Sequence, residues 1–358
     1  MRNPTRRAAV IGACTLLLIG ATVLHASADV AASAPGTGTA ALNEYAFIVD
    51  SDDPQGFNGS LVVLDRRTQR VVETVSTGFG QLPNAVAVQR DGTTAYVANF
   101  YSNSLSVVDT RAAAVTATVA VGEQPVQVLV SPDGRTVYVV NSGSPTIAGS
   151  IMVIDAATLQ VVRTLAIGAN PIRMALAPGG QQAYVVTDNS VRLLDLGTGQ
   201  TLATLDSPNS GGLLISLTLA PDGRRLYAVD ATTNQVLDID ACSLTLLHAP
   251  IGLPGFGVAG NAAVSPDGSL LYVTESASTD VAVVDTATDT ARPATLTVGR
   301  NPTNVAFTPD GTAAYLTSSL DDPKGLSIID PANTRVTSQL NVGSGPFDLA
   351  LVDTTTTL

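Results

Sequence analysis

The side chains able to do chemistry in this chain are few: the acids Asp230, Glu275 and Asp348, the amides Gln127, Asn261, Asn304, Asn99 and Asn141, and Arg173. Carboxylates can serve as general bases, which makes Asp230, Glu275 and Asp348 the candidates for catalysis. Arg173 offers a planar five-donor fork to a carboxylate or phosphate. With Asp50 and the five amides it forms the candidate ligand-binding set. Other machinery is missing. There is no Gly-x-Ser-x-Gly elbow. Beyond residue 28, His248 is the only histidine and Cys242 the only cysteine, too few for a zinc or copper cluster or an internal disulfide. Two Asp-Asp-Pro loops, at Asp52-Asp53 and Asp321-Asp322, bring four carboxylates that could hold Ca²⁺, a cation that takes many oxygen ligands. Neither has calcium-loop spacing, and Asp-Asp-Pro also initiates turns. No other cofactor is expected.

These residues are placed by a repeat. Seven aspartates end aliphatic runs at positions 65, 109, 155, 195, 240, 285 and 330, spaced 44, 46, 40, 45, 45 and 45. Before each lies a turn, Asp-Gly in five units (Asp91-Gly92, Asp133-Gly134, Asp222-Gly223, Asp267-Gly268, Asp310-Gly311), then an aromatic: Phe47, Tyr96, Tyr138, Tyr184, Tyr227, Tyr272 or Tyr315. Asp-Gly marks tight hairpins because glycine accepts positive φ. Several short strands per unit at this period predict an all-β, seven-bladed β-propeller of four-stranded antiparallel blades. The chain enters at Tyr45–Asp50, a second strand. Its missing first strand must come from the segment after Pro346, a clasp that removes a free edge.

In such a ring the loops entering the innermost strands share a face with those joining second and third strands. The first set places Asp348, Ala85, Gln127, Arg173, Ser216, Asn261 and Asn304 around the channel. The second adds Asp50, Asn99, Asn141, Thr187, Asp230, Glu275 and Ser318 at the same mouth. Polar loop residues also bond local backbone, so a solvated scaffold explains many of them. Arg173 is expected to tolerate removal with little loss of stability.

The N-terminus reads as an export segment. Arg2, Arg6 and Arg7 precede an apolar run from Ala8 to Leu24, and Ala26-Ser27-Ala28 supplies small residues for cleavage near Ala28. Sec and twin-arginine signals fit these residues equally. The expected organisation is a signal peptide over 1–28, a flexible lead over 29–42, one propeller over 43–353 and a tail over 354–358. Cleavage removes three of the 18 basic residues and none of the 30 acids, leaving a net charge near −15. That field excludes nucleic acid and anionic membranes as partners.

Tyr138-Val139-Val140-Asn141, Tyr96-Val97-Ala98-Asn99 and the Ser-Pro-Asp-Gly turns resemble the YVTN-type β-propeller repeat of bacterial extracytoplasmic proteins, across nearly all of residues 43–353. The resemblance implies four strands per blade with the Val-x-Val strand innermost. It leaves activity open, since similar propellers include binding proteins, surface-layer proteins, lactonases, lyases and oxidoreductases. The expected function is a secreted, monomeric scaffold that binds a protein, peptide, glycan or small ligand at the channel mouth. The alternative is a small-molecule hydrolase, lyase or cyclase using acids and Arg173 there.

Overall fold

The computed structural model describes residues 44–51, 58–168, 170–255, 257–320 and 325–352. The expected export segment, lead and tail lie outside the described residues, as do the four Ca²⁺ candidates Asp52, Asp53, Asp321 and Asp322. The described chain forms seven antiparallel blades with no helix beyond a single 3₁₀ residue, Glu44. Blade 1 joins Tyr45–Asp50, Asn58–Asp65 and Arg70–Phe79 to the last strand, Pro346–Leu351, so the two ends of the ring meet in one sheet. Tyr45–Asp50 pairs with that strand from Ala46↔Leu351 to Asp50↔Pro346, which is the clasp. Blades 2, 3, 4 and 7 run from Pro83, Pro125, Pro171 and Pro302. Blades 5 and 6 start at Leu214 and Val258, and each has its outermost strand broken in two.

The repeated residues have repeated jobs. Each strand-ending aspartate caps the turn to the outermost strand: Asp109 Oδ1 accepts from the Arg111 and Ala112 N–H groups, and Asp240 Oδ1 from Cys242 and Ser243. Such Asx turns satisfy backbone donors that a hairpin leaves over. The second strand of each blade is the most buried, and its aromatic packs into the seam with a neighbouring blade. Among the described residues the buried apolar side chains form seven clusters, one at each seam. Val, Leu, Ile and Ala dominate them because closely stacked sheets favour small and β-branched shapes.

The innermost strands carry the feature that builds the channel. Five of them begin with proline, which needs no hydrogen bond at its absent N–H. A register shift follows at once, between Pro83 and Ala85, Pro125 and Gln127, Pro171 and Arg173, Leu214 and Ser216, and Pro302 and Asn304. Blade 6 shifts between Ala259 and Ala262, and blade 1 shifts where Pro346 and Asp348 face Asp50 and Val49. A β-bulge re-aims side chains. Here it occurs in all seven blades at the positions singled out for the channel.

Candidate functional site

Six bulge residues, Gln127, Arg173, Ser216, Asn261, Asn304 and Asp348, line one cavity of about 190 Å³ in the central channel. The seventh position is Ala85, buried, with Val86 lining the cavity beside it. The polar groups are bonded to each other and to the neighbouring blades. Gln127 grips Met174, its Oε1 accepting from Met174 N at 2.7 Å and its Nε2 donating to Met174 O at 3.2 Å. Asp348 Oδ2 accepts from Val86 N at 2.9 Å, and its Oδ1 accepts from Asn304 Nδ2. Ser216 Oγ accepts from Ala262 N at 3.1 Å, and Asn261 Nδ2 donates to Thr303 O at 2.6 Å. The ring is therefore a belt that stitches innermost strands together across the channel.

Arg173 is the one cation of that belt. Its Nε donates to Asn261 Oδ1 at 3.1 Å and its Nη1 to Val126 O at 3.0 Å, while Nη2 has no partner among the described residues. Burial lowers the affinity of the guanidinium for its proton, and the nearby Asp348 carboxylate opposes this. For Asp348 burial raises the carboxyl above its ordinary range. Arg173, the Val86 and Leu349 N–H groups and Asn304 pull it partly back. An opposite pair in a narrow polar channel, with one guanidinium edge uncommitted, can hold a small anion or a hydroxyl-rich group.

The second predicted set does not join this cavity. Asp50, Asn99, Asn141, Thr187, Asp230, Glu275 and Ser318 are all buried. Each sits at the end of a second strand, and over Asp50, Asn141, Asp230 and Glu275 the entering loop of the same blade is folded. Asp50 accepts from Gly345 N at 2.8 Å and Ser344 N at 3.3 Å. Asp230 Oδ1 accepts from Thr232 N and Thr233 N, and its Oδ2 from Asn209 Nδ2 at 3.0 Å. Asn99 Nδ2 donates to Ser104 Oγ and Ser106 Oγ, and Asn141 Nδ2 to Ser150 Oγ. The two expected sets are thus not brought together in one cavity: the first lines the channel, and the second is buried outside that lining. At Asp50, Asn141, Asp230 and Glu275 the burial comes from close packing by glycine. A Cβ on Gly212 would come within 2.5 Å of Asp230 Oδ2, one on Gly122 within 2.7 Å of Asn141 Cγ, and one on Gly343 would overlap Asp50. Those glycines were the sequence signal for buried anchors.

Two anchors depart from the pattern among the described residues: the buried Ser318 hydroxyl has no hydrogen-bond partner, and Glu275 is the one carboxylate without one. It is fully buried, and neither Oε1 nor Oε2 has a hydrogen-bond partner. Burial pushes its carboxyl above the usual range, Asp280 adds to the rise, and the nearby Gly257 N–H compensates only in part.

A third cluster was missed. On blade 5 the Arg225 guanidinium bridges Asp238 and Asp289, its Nη1 donates to Thr286 O at 2.5 Å, and His248 Nε2 lies 3.2 Å from Asp289 Oδ2. Asp238, His248 and Asp289 bring ligand atoms within 4.8 Å of one another, a spacing that suits a metal. Arg225 already supplies the positive charge there and ties blade 5 to blade 6. The signal was Asp238, an acid inside the aliphatic strand Gln235–Asp240. Cys242 is exposed in the turn after that strand.

No protein-family model matches the chain, and no curated protein matches it by sequence. Solved structures do match its fold. Hydrazine synthase of Kuenenia stuttgartiensis aligns with a TM-score of 0.67 and 23% identity over 78% of this chain and 94% of that one. The periplasmic gluconolactonase PpgL of Pseudomonas aeruginosa aligns with a TM-score of 0.68 and 19% identity over 87% and 99%. A protein of unknown function from Desulfotomaculum acetoxidans aligns with a TM-score of 0.68 and 16% identity over 86% and 98%. At these identities the likeness is one of fold.

Proposed function

We propose that this protein is an exported, monomeric propeller of the YVTN-repeat type that binds a small anionic or hydroxyl-rich ligand, free or carried on a peptide or glycan, at its channel. The observation that carries the reading is Arg173 Nη2, uncommitted on a guanidinium that lines the cavity. A cavity of about 190 Å³ favours a small molecule or one projecting group over a broad protein surface. The basic, apolar and Ala-Ser-Ala N-terminus supports export, and the acidic charge supports the absence of nucleic-acid and membrane partners.

The catalytic reading rests on the same channel and on fold neighbours that include a gluconolactonase and a hydrazine synthase. Among the described residues Asp348 is the only acid lining the cavity, and both its oxygens already accept hydrogen bonds. Asp230 and Glu275 do not line it. Binding is therefore the better-supported role.

Calorimetric titration of the purified protein with gluconate and with inorganic phosphate tests the reading. One-site binding to either, lost in Arg173→Met, is the expected result. Binding that survives Arg173→Met, or none at all, overturns it. A parallel assay follows glucono-δ-lactone hydrolysis. Turnover above the buffer rate that disappears in Asp348→Asn would replace binding with catalysis.

A further inference from the structure

A larger cavity, about 540 Å³, lies away from the channel, where the mouth loops of blades 6 and 7 meet. Its walls include Pro254, Pro293 and Leu320, and its polar lining includes Asp280 and Arg300. Gly255 and Gly257 form another wall, and directly behind it lies Glu275. A Cβ on Gly255 would overlap the Glu275 carboxylate, and one on Gly257 would lie 2.7 Å from Glu275 Cβ. Among the described residues, the glycine backbone at 255 and 257 thus stands between this buried carboxylate and the cavity. Every equivalent anchor in the other six blades is a shorter side chain, and both aspartates among them are hydrogen-bonded. Buried charges are ordinarily paired. The two acids at this site act in the same direction, since Asp280 bears electrostatically on Glu275. Asp280 itself is held in place by the Thr297 hydroxyl, which donates to its Oδ1 at 3.0 Å.

We infer that this cavity is a second ligand site, independent of the channel, that takes a small organic ammonium compound, a free peptide N-terminus included. Asp280 would receive the ammonium, and Glu275 would add negative potential through the glycine wall. The prolines and Leu320 give the walls apolar area for a side chain. The volume lies within the range of small-molecule pockets and far exceeds what a metal ion needs.

The test is titration of the full chain with glycyl-L-leucine, N-acetyl-glycyl-L-leucine and CaCl₂, read by calorimetry and by melting temperature. The free dipeptide should bind at one site and raise the melting temperature saturably, while the N-acetylated form should bind at least tenfold more weakly. Asp280→Asn and Glu275→Gln should each weaken the free dipeptide at least fivefold, and Arg173→Met should leave it unchanged. Equal binding of both dipeptides, binding of calcium alone, or no binding overturns the inference. Should Asp280→Asn fail to fold, the comparison of free with acetylated dipeptide still decides. Loss of dipeptide binding in Arg173→Met would move the ligand to the channel and equally overturn it.

Discussion

Arg173 on blade 4 donates to Asn261 on blade 6 at 3.1 Å, passing over blade 5. Its other bond goes back to Val126 O on blade 3. One side chain therefore connects three blades, and the expectation that it is a dispensable ligand group has to change. Arg173→Ala leaves Val126 O and Asn261 Oδ1 without a donor in a partly closed channel. The expected loss is about 1–3 kcal/mol, the cost of unsatisfied buried acceptors. A shifted urea midpoint with unchanged slope would show it. An unshifted midpoint would mean that water replaces the guanidinium fully.

Gly343 is required by what lies over it. It holds a φ of +134°, and a Cβ there would overlap the Asp50 carboxylate that anchors Ser344 and Gly345. Gly343→Ala combines strained backbone with overpacking, for an expected loss of about 2–4 kcal/mol. The control is Gly252→Ala, where the added carbon meets no neighbour within 4 Å. That variant should melt close to the parent, and equal losses at both sites would remove the steric explanation.

The ring was legible in the sequence because each blade restates the same turn chemistry. Asp-Gly at one hairpin and an Asx-capping aspartate at the other are local events, readable without knowing the fold. The channel residues were legible for a related reason: the proline that opens an innermost strand fixes where the bulge comes, two residues before Gln127, Arg173 and Asn304. What stayed hidden was depth. Nothing in Tyr-Val-Val-Asn says whether the Asn faces solvent or lies under a loop. That depends on a glycine some twenty residues earlier, as with Gly122 over Asn141. The cavity beside Glu275 was hidden in the same way, since it is made by loops of two blades.

The clasp makes the end of the chain more important than its length suggests. Pro346–Leu351 is the innermost strand of blade 1, and within it Asp348 joins blade 2 through Val86 N and blade 7 through Asn304. A chain ending at Gly345 loses that strand and exposes the edge of Tyr45–Asp50, a template for aggregation. It should be insoluble or fail to show a cooperative melt. Soluble, cooperative unfolding of the shortened chain would show that the ring closes without the strand.

Acid should loosen the turns first. The Thr158 N–H bonded to Asp155, Thr198 N–H bonded to Asp195 and Ser243 N–H bonded to Asp240 hold these carboxyls below their ordinary range. A depressed folded-state pKa gives stability that is complete above the unfolded value of about 3.9 and is lost as pH falls through the folded one. The urea midpoint should therefore drop below about pH 4. A midpoint that holds steady to pH 2.5 would show that the capped turns contribute nothing to acid stability.

Glu275 has the opposite sign. Burial and Asp280 raise its folded-state pKa, so the folded protein binds this proton more tightly than the unfolded chain does. Its effect is neutral to favourable at low pH and becomes unfavourable as pH rises past the unfolded value of about 4.3, where folding must either hold the proton or bury a charge. Glu275→Gln removes the titration and keeps the shape. The variant should gain melting temperature over the parent as pH rises from 5 to 8, and the gap should shrink toward pH 4. Asp50→Asn makes the contrast, since the Asp50 carboxylate accepts backbone N–H bonds that Asn can only partly replace. That variant should lose stability at pH 7 instead of gaining it. A pH-independent difference between Glu275→Gln and the parent would mean that the carboxyl finds a partner in solution, and the orphaned charge behind the glycine wall would no longer set the character of the neighbouring cavity.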